Sequence, residues 1–125
     1  MYKVLIVEAD RSVRERVCRT VAGERDFEVC GAAETEVPAI QAAGRCSPGL
    51  IIVGLALPQA GLGEFVGELK KAAPKAQIFL LTEKSSVAQE RRALALGIAA
   101  VFLKGDDLAA LMLNARAILE TDSDG

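Results

Sequence analysis

The sequence predicts an α/β domain in which helices cover both faces of a five-stranded parallel sheet. The chain has 125 residues, a length typical of one domain, and 51% of them are hydrophobic, which is enough for an ordinary core. Short apolar runs alternate five times with helical patterns. This alternation favours a doubly wound, three-layer architecture with the strand order 2-1-3-4-5. We expect residues 1–120 to form the domain and 121–125 to be a frayed tail or the start of a linker.

The strands are predicted from five short apolar runs. "KVLIV", "LIIVG" and "QIFLLT" are continuous and largely aliphatic, which is typical of strands buried on both faces, whereas "FEVCG" alternates weakly and indicates an edge. With "AAVFLK" they place strands at residues 3–7, 27–31, 50–54, 77–82 and 99–104.

The helices are predicted from apolar residues that recur three and four positions apart. They fall at 12–23, 37–44, about 62–73, 86–97 and 106–120. Ser12 and Glu15 fit a capping box, and Gly23 fits a C-terminal stop for the first helix. Pro74 closes the third helix, and Gly97 is expected to cap the fourth.

Charge and composition exclude several classes of function. The net charge is −2 and no block of Lys or Arg is present, so this segment is not expected to bind nucleic acid directly. The chain has no histidine, which excludes Ser-His and Cys-His nucleophile pairs and the commonest zinc ligand. No apolar run is long enough to span a bilayer, and the N-terminus lacks a signal-peptide pattern. We expect a cytoplasmic protein without membrane contact.

The three cysteines do not indicate a disulfide framework. Cys18, Cys30 and Cys46 are odd in number and widely spaced. They are interpreted as small buried hydrophobes in a reducing compartment.

In a sheet of this order, ligands bind at the carboxyl ends of the strands. An acid after the first strand and the lack of a Gly-rich loop argue against a phosphate cradle, so no nucleotide or flavin is expected. One carboxylate makes a weak Mg²⁺ site, so no metal or other cofactor is expected. The residues at this edge are Glu8, Ala9, Asp10, Gly54, Thr82, Glu83 and Lys104.

Four segments with matching spacing resemble one family over most of the chain, from Lys3 to Glu120. They are "KVLIVEAD", "SPGLIIVGLALP", "LLTEKSS" and "LGIAAVFLKGDDLAAL". The pattern resembles the receiver domain of bacterial two-component response regulators, particularly receivers that precede LuxR-type DNA-binding domains. The resemblance implies a CheY-like (flavodoxin-like) fold. It also implies an acid pair that holds Mg²⁺, an Asp that accepts a phosphoryl group, a Ser/Thr and a Lys that bind it, and an aromatic that switches rotamer.

The match to the functional residues of that family is partial. Glu8 stands at the first position of the acid pair, but Ala9 stands at the second. Gly54 stands at the phosphoacceptor position, while Thr82 and Lys104 match the phosphoryl-binding pair. The resemblance therefore implies a pseudo-receiver, in which these five residues form a degenerate phosphorylation pocket.

Other positions in the pattern are also informative. Pro58 matches the Pro four residues after the acceptor, and Gly105 is compatible with the LuxR-type branch. Val101 stands at the switch position, and Phe102 is displaced from it by one residue.

Four polar residues have two interpretations each. Lys104 either pairs with Glu8, which we favour, or is solvated. Thr82 either keeps a binding role or is an ordinary strand residue. Asp10 either replaces the acceptor or, as we favour, caps the first helix or lies at the rim. Glu83 either closes over the pocket or faces water, which we favour.

The last helix carries a second apolar stripe outside the core. Its core-facing residues are Leu108, Leu111, Met112, Ala115, Ile118 and Leu119. The second stripe is Ala110, Leu113 and Ala117, and we interpret it as a partner or dimer surface. In receivers the fourth helix, fifth strand and fifth helix form such a face, and Arg91, Arg92 and Arg116 are expected to supply its charged rim.

Three functional hypotheses follow. The leading one is a receiver-like module that binds a protein partner or output domain without phosphorylation, as a self-contained protein or as the N-terminal domain of a transcriptional regulator. The second keeps phosphorylation, with Asp10 or Glu8 as the acceptor. The third, a small flavodoxin-like enzyme or cofactor binder, is disfavoured by the absence of His and of a phosphate loop.

Overall fold

The computed structural model describes residues 1–57, 59–106 and 108–124, without the side chains of 59, 60 and 122–124. Five strands alternate with five helices, as predicted. The strands are β1 (Tyr2–Val7), β2 (Phe27–Ala33), β3 (Leu50–Val53), β4 (Gln77–Thr82) and β5 (Ala100–Leu103). The helices are α1 (Arg11–Ala22), α2 (Glu36–Cys46), α3 (Gln59–Ala72), α4 (Val87–Ala95) and α5 (Leu108–Asp124). The family match predicted at Pro58 lies outside the described residues.

The five strands form one parallel sheet in the order β2-β1-β3-β4-β5, which confirms the predicted topology. β1 and β3 lie in its interior, and both are fully buried from Val4 and Leu50 onward. Because the strands are parallel, the residues that follow β1, β3, β4 and β5 all reach one side of the molecule. We call this side the carboxyl edge.

Strand alternation divides the core into two layers, one on each face of the sheet. Leu5, Val7, Ile51 and Val53 belong to the layer covered by α2, α3 and α4. Their sequence neighbours Val4, Ile6, Leu50 and Ile52 belong to the layer covered by α1 and α5. Within the described residues, no helix is both long enough and apolar enough to cross a membrane.

The start of α1 differs from the predicted capping box. Asp10 is the N-cap, and its side chain accepts hydrogen bonds from the backbone amides of Ser12 and Val13. Glu15 instead binds Arg11 one turn earlier, at 3.1 Å. An aspartate already stood one residue before the helix, so Ser12 was not needed as a cap. The favoured interpretation of Asp10 as the cap of α1 is confirmed.

The C-terminal ends of the helices follow the predicted glycines closely. Gly23 is the C-cap of α1, as predicted. The C-cap of α4 is Leu96, and Gly97 follows it with φ +90°, in the left-handed region that glycine adopts easily. The predicted cap at Gly97 is therefore displaced by one residue.

The cysteines are less buried than predicted. Cys18, Cys30 and Cys46 are all partly exposed free thiols. Cys30 and Cys18 do pack against the two core layers, one on each side of the sheet. The prediction of apolar surroundings is confirmed for these two, whereas the prediction that the cysteines are buried is wrong, because all three are partly exposed.

Arg116 makes different contacts from those predicted. Its guanidinium donates to both carboxylate oxygens of Asp26, at 2.7 and 2.8 Å, and to Glu24 at 3.0 Å. It also lies over the Phe27 ring, 5.6 Å from the centroid. These partners belong to the turn between α1 and β2 and the start of β2. Arg116 therefore fastens α5 to that turn and does not form the rim of a face beside α4.

Substitutions in the two apolar stripes of α5 should differ sharply in their effect on the stability of the domain. Leu111 is buried and Leu113 is 65% exposed, so Leu111→Ala removes core contacts and Leu113→Ala removes few. We expect Leu111→Ala to lower the free energy of unfolding by about 3 kcal/mol, and Leu113→Ala by less than about 0.5 kcal/mol. Urea denaturation followed by circular dichroism measures both. Equal losses would contradict the orientation of α5.

The Arg116 contacts should make stability depend on pH in the acid range. Hydrogen bonding to Arg116 lowers the pKa of Asp26 below its ordinary value of 3.8. A lowered folded-state pKa means that this contribution is present above the ordinary value and is lost as pH falls through the folded value.

We therefore expect Arg116→Met to destabilise the domain at about pH 7 and by a smaller amount at about pH 3, which lies below the ordinary pKa of Asp26. Urea denaturation at both pH values measures this, with the exposed Arg25→Met as the matched control. A deficit that is the same at both pH values would show that Arg116 acts by packing alone.

Candidate functional site

Four strands deliver residues to the carboxyl edge. Glu8 follows β1, Gly54 follows β3, Thr82 ends β4 and Lys104 follows β5. β1, β3, β4 and β5 are successive neighbours in the sheet. The structure brings Glu8, Gly54 and Lys104 into direct contact, as the sequence predicts for residues that follow parallel strands.

A buried ion pair lies at the centre of this edge. Lys104 Nζ is 2.7 Å from Glu8 Oε1, and the two side chains are 16% and 3% exposed. Nζ also donates a hydrogen bond to the carbonyl oxygen of Gly54, at 2.8 Å. The contact between Nζ and Oε1 does not have hydrogen-bond geometry, so it is chiefly electrostatic. The predicted pairing of Lys104 with Glu8 is confirmed.

Gly54 makes this ion pair possible. A Cβ at position 54 would lie 2.5 Å from Glu8 Oε1 and 3.0 Å from Glu8 Cδ, closer than unbonded atoms approach. The Gly54 amide also donates to the carbonyl oxygen of Val7 at 2.6 Å, which holds its backbone against β1. The carboxylate of Glu8 therefore occupies the space in which a side chain at residue 54 would begin.

The loop after β1 is fastened by several further hydrogen bonds. Glu8 Oε2 accepts from the Asp10 amide at 3.0 Å. Arg14 donates to the carbonyl oxygen of Glu8 at 2.9 Å and binds Glu34 at 3.1 Å. Arg16 donates to the carbonyl oxygen of Lys104 and so connects α1 to the loop after β5. Sequence reasoning did not single out these arginines, because arginines on the outer face of a helix are usually solvated.

The carboxylate of Asp10 caps the N-terminus of α1. Hydrogen bonds from the Val13 amide, and then from the Ser12 side chain and amide, lower the pKa of Asp10. One oxygen, Oδ1, accepts all three of these hydrogen bonds.

The carboxyl edge does not fit a Mg²⁺ ion. One oxygen of Glu8 lies on the Lys104 ammonium and the other accepts from a backbone amide. Ala9 and Gly54 offer no side-chain oxygen, and Mg²⁺ requires several oxygen ligands in near-octahedral geometry. Across the described part of the chain, no three Cys, Asp or Glu side chains are grouped as metal ligands would be.

Thr82 is turned toward the loop that follows β4. Its hydroxyl donates to the carbonyl oxygen of Lys84 at 3.0 Å. Thr82 also lines two cavities of about 140 and 600 Å³. The lining residues common to both cavities are Leu57, Leu80, Thr82 and Gln89. Glu83 is exposed at the larger cavity, which agrees with its favoured interpretation as a residue that faces water.

Val101 and Phe102 face opposite layers of the core. Val101 lines the smaller cavity and packs against the layer covered by α2, α3 and α4. Phe102 packs against the other layer, and the centroid of its ring is 5.2 Å from the centroid of the Phe79 ring. Because strand side chains alternate between faces, the displaced aromatic does not enter the space beside Val101.

The remaining predicted partner residues are on the surface. Arg91, Arg92, Ala110, Leu113 and Ala117 are all exposed. Arg92 also lines the smaller cavity.

Leu94 on α4 is an exposed apolar residue that the sequence analysis did not single out. It is 59% exposed, comparable to Leu113. Its position three residues after Arg91 was the available signal, because residues three apart share a helix face.

Comparison with known proteins gives a consistent result. A family model described as the response regulator receiver domain matches residues 4–116. A Pseudomonas aeruginosa protein, provisionally named a transcriptional regulator, is 31% identical over 120 residues. That alignment covers 95% of this chain and 57% of the relative, so the chain spans little more than half of the relative's length.

Solved structures share the fold. A LuxR-family two-component response regulator from Aurantimonas sp. SI85-9A1 is 22% identical with a TM-score of 0.85, covering 97% of this chain and 86% of that one. The receiver domain of AraT from Geobacillus stearothermophilus is 21% identical with a TM-score of 0.82, covering 98% and 96%. A CheY-like receiver from Methanospirillum hungatei JF-1 is 19% identical with a TM-score of 0.81, covering 100% and 99%.

Because the Glu8 carboxylate lies beside Gly54, adding a single methyl group at residue 54 should lower the stability of the domain. Gly54→Ala forces Glu8 away from Lys104 and should lower the free energy of unfolding by about 1–3 kcal/mol. Gly67→Ala, on α3 with open space around its Cβ, should raise it by about 0.5–1 kcal/mol. Urea denaturation of the two variants checks this. A Gly54→Ala chain as stable as Gly67→Ala would contradict the described packing.

Proposed function

This chain belongs to the response regulator receiver domain family, and from that premise we propose that it regulates by protein contact without being phosphorylated. We propose that it works in the cytoplasm, has no enzymatic activity and binds no cofactor. The observation that carries the proposal is the carboxylate of Glu8 in the space where a side chain at residue 54 would begin.

Phosphoryl transfer to a protein carboxylate requires a nucleophile and positive charge that offsets the charge developing on the phosphoryl group. At residue 54 there is no carboxylate. The ammonium of Lys104, which would supply positive charge, is paired with Glu8 and with the carbonyl oxygen of Gly54. Both requirements are weakened at the same place, which supports a receiver without this chemistry.

The geometry also argues against the two alternative acceptors. Asp10 caps the first turn of α1, and the three hydrogen bonds that its Oδ1 accepts fix the orientation of its carboxylate. Glu8 is 2% exposed and faces Lys104, so a phosphoryl donor would have to displace that ion pair to reach it.

We therefore expect no covalent phosphorylation from acetyl phosphate and Mg²⁺. Intact-mass spectrometry should show the unmodified chain, while an ordinary receiver in the same reaction gains one phosphoryl group. The double variant Ala9→Asp with Gly54→Asp is the matched comparison, because it supplies both missing carboxylates. A gain of one hydroxylamine-labile phosphoryl group by the parent chain, mapped to Asp10 or Glu8, would refute the proposal.

We further propose that the regulated partner is an output domain for transcription and that the receiver pairs with a second copy of itself. The Pseudomonas aeruginosa relative extends well beyond the aligned segment and has a name that refers to transcription, which supports the first part. Leu94 and Leu113 support the second part, because they are large exposed apolar residues on α4 and α5. We call the surface formed by Arg91, Arg92, Leu94, Ala110, Leu113 and Ala117 the α4–α5 face.

A charge on the α4–α5 face should weaken self-association. We expect Leu113→Glu to raise the dimer dissociation constant at least about tenfold, which corresponds to about 1.4 kcal/mol. Val37→Glu is the control, since Val37 is 63% exposed on α2, outside this face. Sedimentation equilibrium measures both variants. A monomeric parent chain, or equal effects of the two variants, would refute pairing through this face.

A further inference from the structure

Cys30 and Cys46 meet on the side of the sheet that α2 covers. Cys30 belongs to the edge strand β2, and Cys46 is the last residue of α2. The Cys46 thiol donates to the carbonyl oxygen of Cys30, with Sγ 3.0 Å from that oxygen. The Cys30 side chain packs against the core layer to which α2 contributes. The two thiols therefore share one space between strand and helix.

A β-bulge at Cys30 contributes to this arrangement. Val4 of β1 pairs with Val29 and Leu5 pairs with Gly31, so Cys30 is an extra residue with no partner in the β1 ladder. Bulges re-aim the side chain they carry. A Cβ on the neighbouring Gly31 would be 3.7 Å from Cys46 Sγ, so the Cys46 thiol lies close over the bulge.

The surroundings of the two thiols set the order in which they react. Burial, and then a hydrogen bond with the Cys46 thiol, raise the pKa of Cys30 to about 12. Because the thiolate is the nucleophile, Cys30 is a poor first attacker near neutral pH. We therefore assign the first attack to Cys46 and the closing attack to Cys30.

We propose that Cys30 and Cys46 are a thiol pair that is converted to an intramolecular disulfide by a small-molecule disulfide such as oxidised glutathione. The Cys46 thiolate attacks one glutathione sulfur, and the other glutathione leaves as a thiolate. The Cys30 thiolate then attacks Cys46 Sγ in this mixed disulfide and releases the second glutathione. Two protein thiols are oxidised, one glutathione disulfide is reduced to two thiols, and the two protons pass to the released glutathiones.

The bond would tie the end of α2 to the edge strand β2. Ordinary motion of that helix end relative to the sheet would be restricted until a thiol reductant restored the pair. The site does not include Glu8, Gly54 or Lys104, so this inference does not depend on the proposed function.

The test is oxidation of the full chain carrying Cys18→Ser with oxidised glutathione at about pH 8. We expect the majority of the chain to lose two hydrogens by intact-mass spectrometry, with peptide mapping that joins Cys30 to Cys46 and full reversal by dithiothreitol. Cys18→Ser with Cys46→Ser is the matched control, and it should show no such loss. Circular dichroism confirms that both chains are folded.

Three results would overturn the proposal. They are a folded Cys18→Ser chain that keeps its reduced mass, one that accumulates only a glutathione adduct, and one whose disulfide joins two chains. The parent chain provides a second sample, in which a disulfide that includes Cys18 would also count against the pair.

Discussion

The ion pair between Glu8 and Lys104 is the interaction on which the carboxyl edge depends. Taking both charges out of water is costly, and the attraction between them repays that cost only when the geometry is good. Gly54 brings the two charges together, because its missing side chain leaves room for the carboxylate and its carbonyl oxygen accepts a hydrogen bond from the same ammonium. Glycine, acid and lysine therefore form one unit, in which changing any member leaves the others unsatisfied.

Around this unit, the protein's own charges occupy the edge where receiver domains carry out their chemistry. Arg14 fastens the backbone after β1, and Arg16 binds the backbone after β5. The result is an edge whose loops are hydrogen-bonded to α1 and whose Glu8 and Lys104 charges are paired. Such an edge supports the proposed function, in which the outer surfaces of the domain carry the signal and no phosphoryl group is bound.

Much of this arrangement was predictable from sequence, because the topology of a parallel sheet places strand ends together. Strand order and the placement of helices on both faces of the sheet follow from local periodicity and that rule. The Glu8–Lys104 pair was the favoured one of two interpretations, because the site lacks the other acids of the family. The contact of Glu8 with Gly54 was not predictable, since it depends on distances of tenths of an ångström. Arg116 was misassigned because its partners, Asp26 and Glu24, are distant in the chain, and helix periodicity says nothing of such contacts.

The separation of the ion-paired residues along the chain has a consequence for biosynthesis. Glu8 belongs to the first strand-helix unit, whereas Lys104 follows the last strand, and Arg16 binds a backbone oxygen 88 residues away. Contacts between such distant segments carry a large loop-closure entropy. During translation Glu8 is made long before Lys104, so its carboxylate has no Lys104 partner until most of the chain has been synthesised. The ion pair can therefore form only after Lys104, which follows β5, has been made.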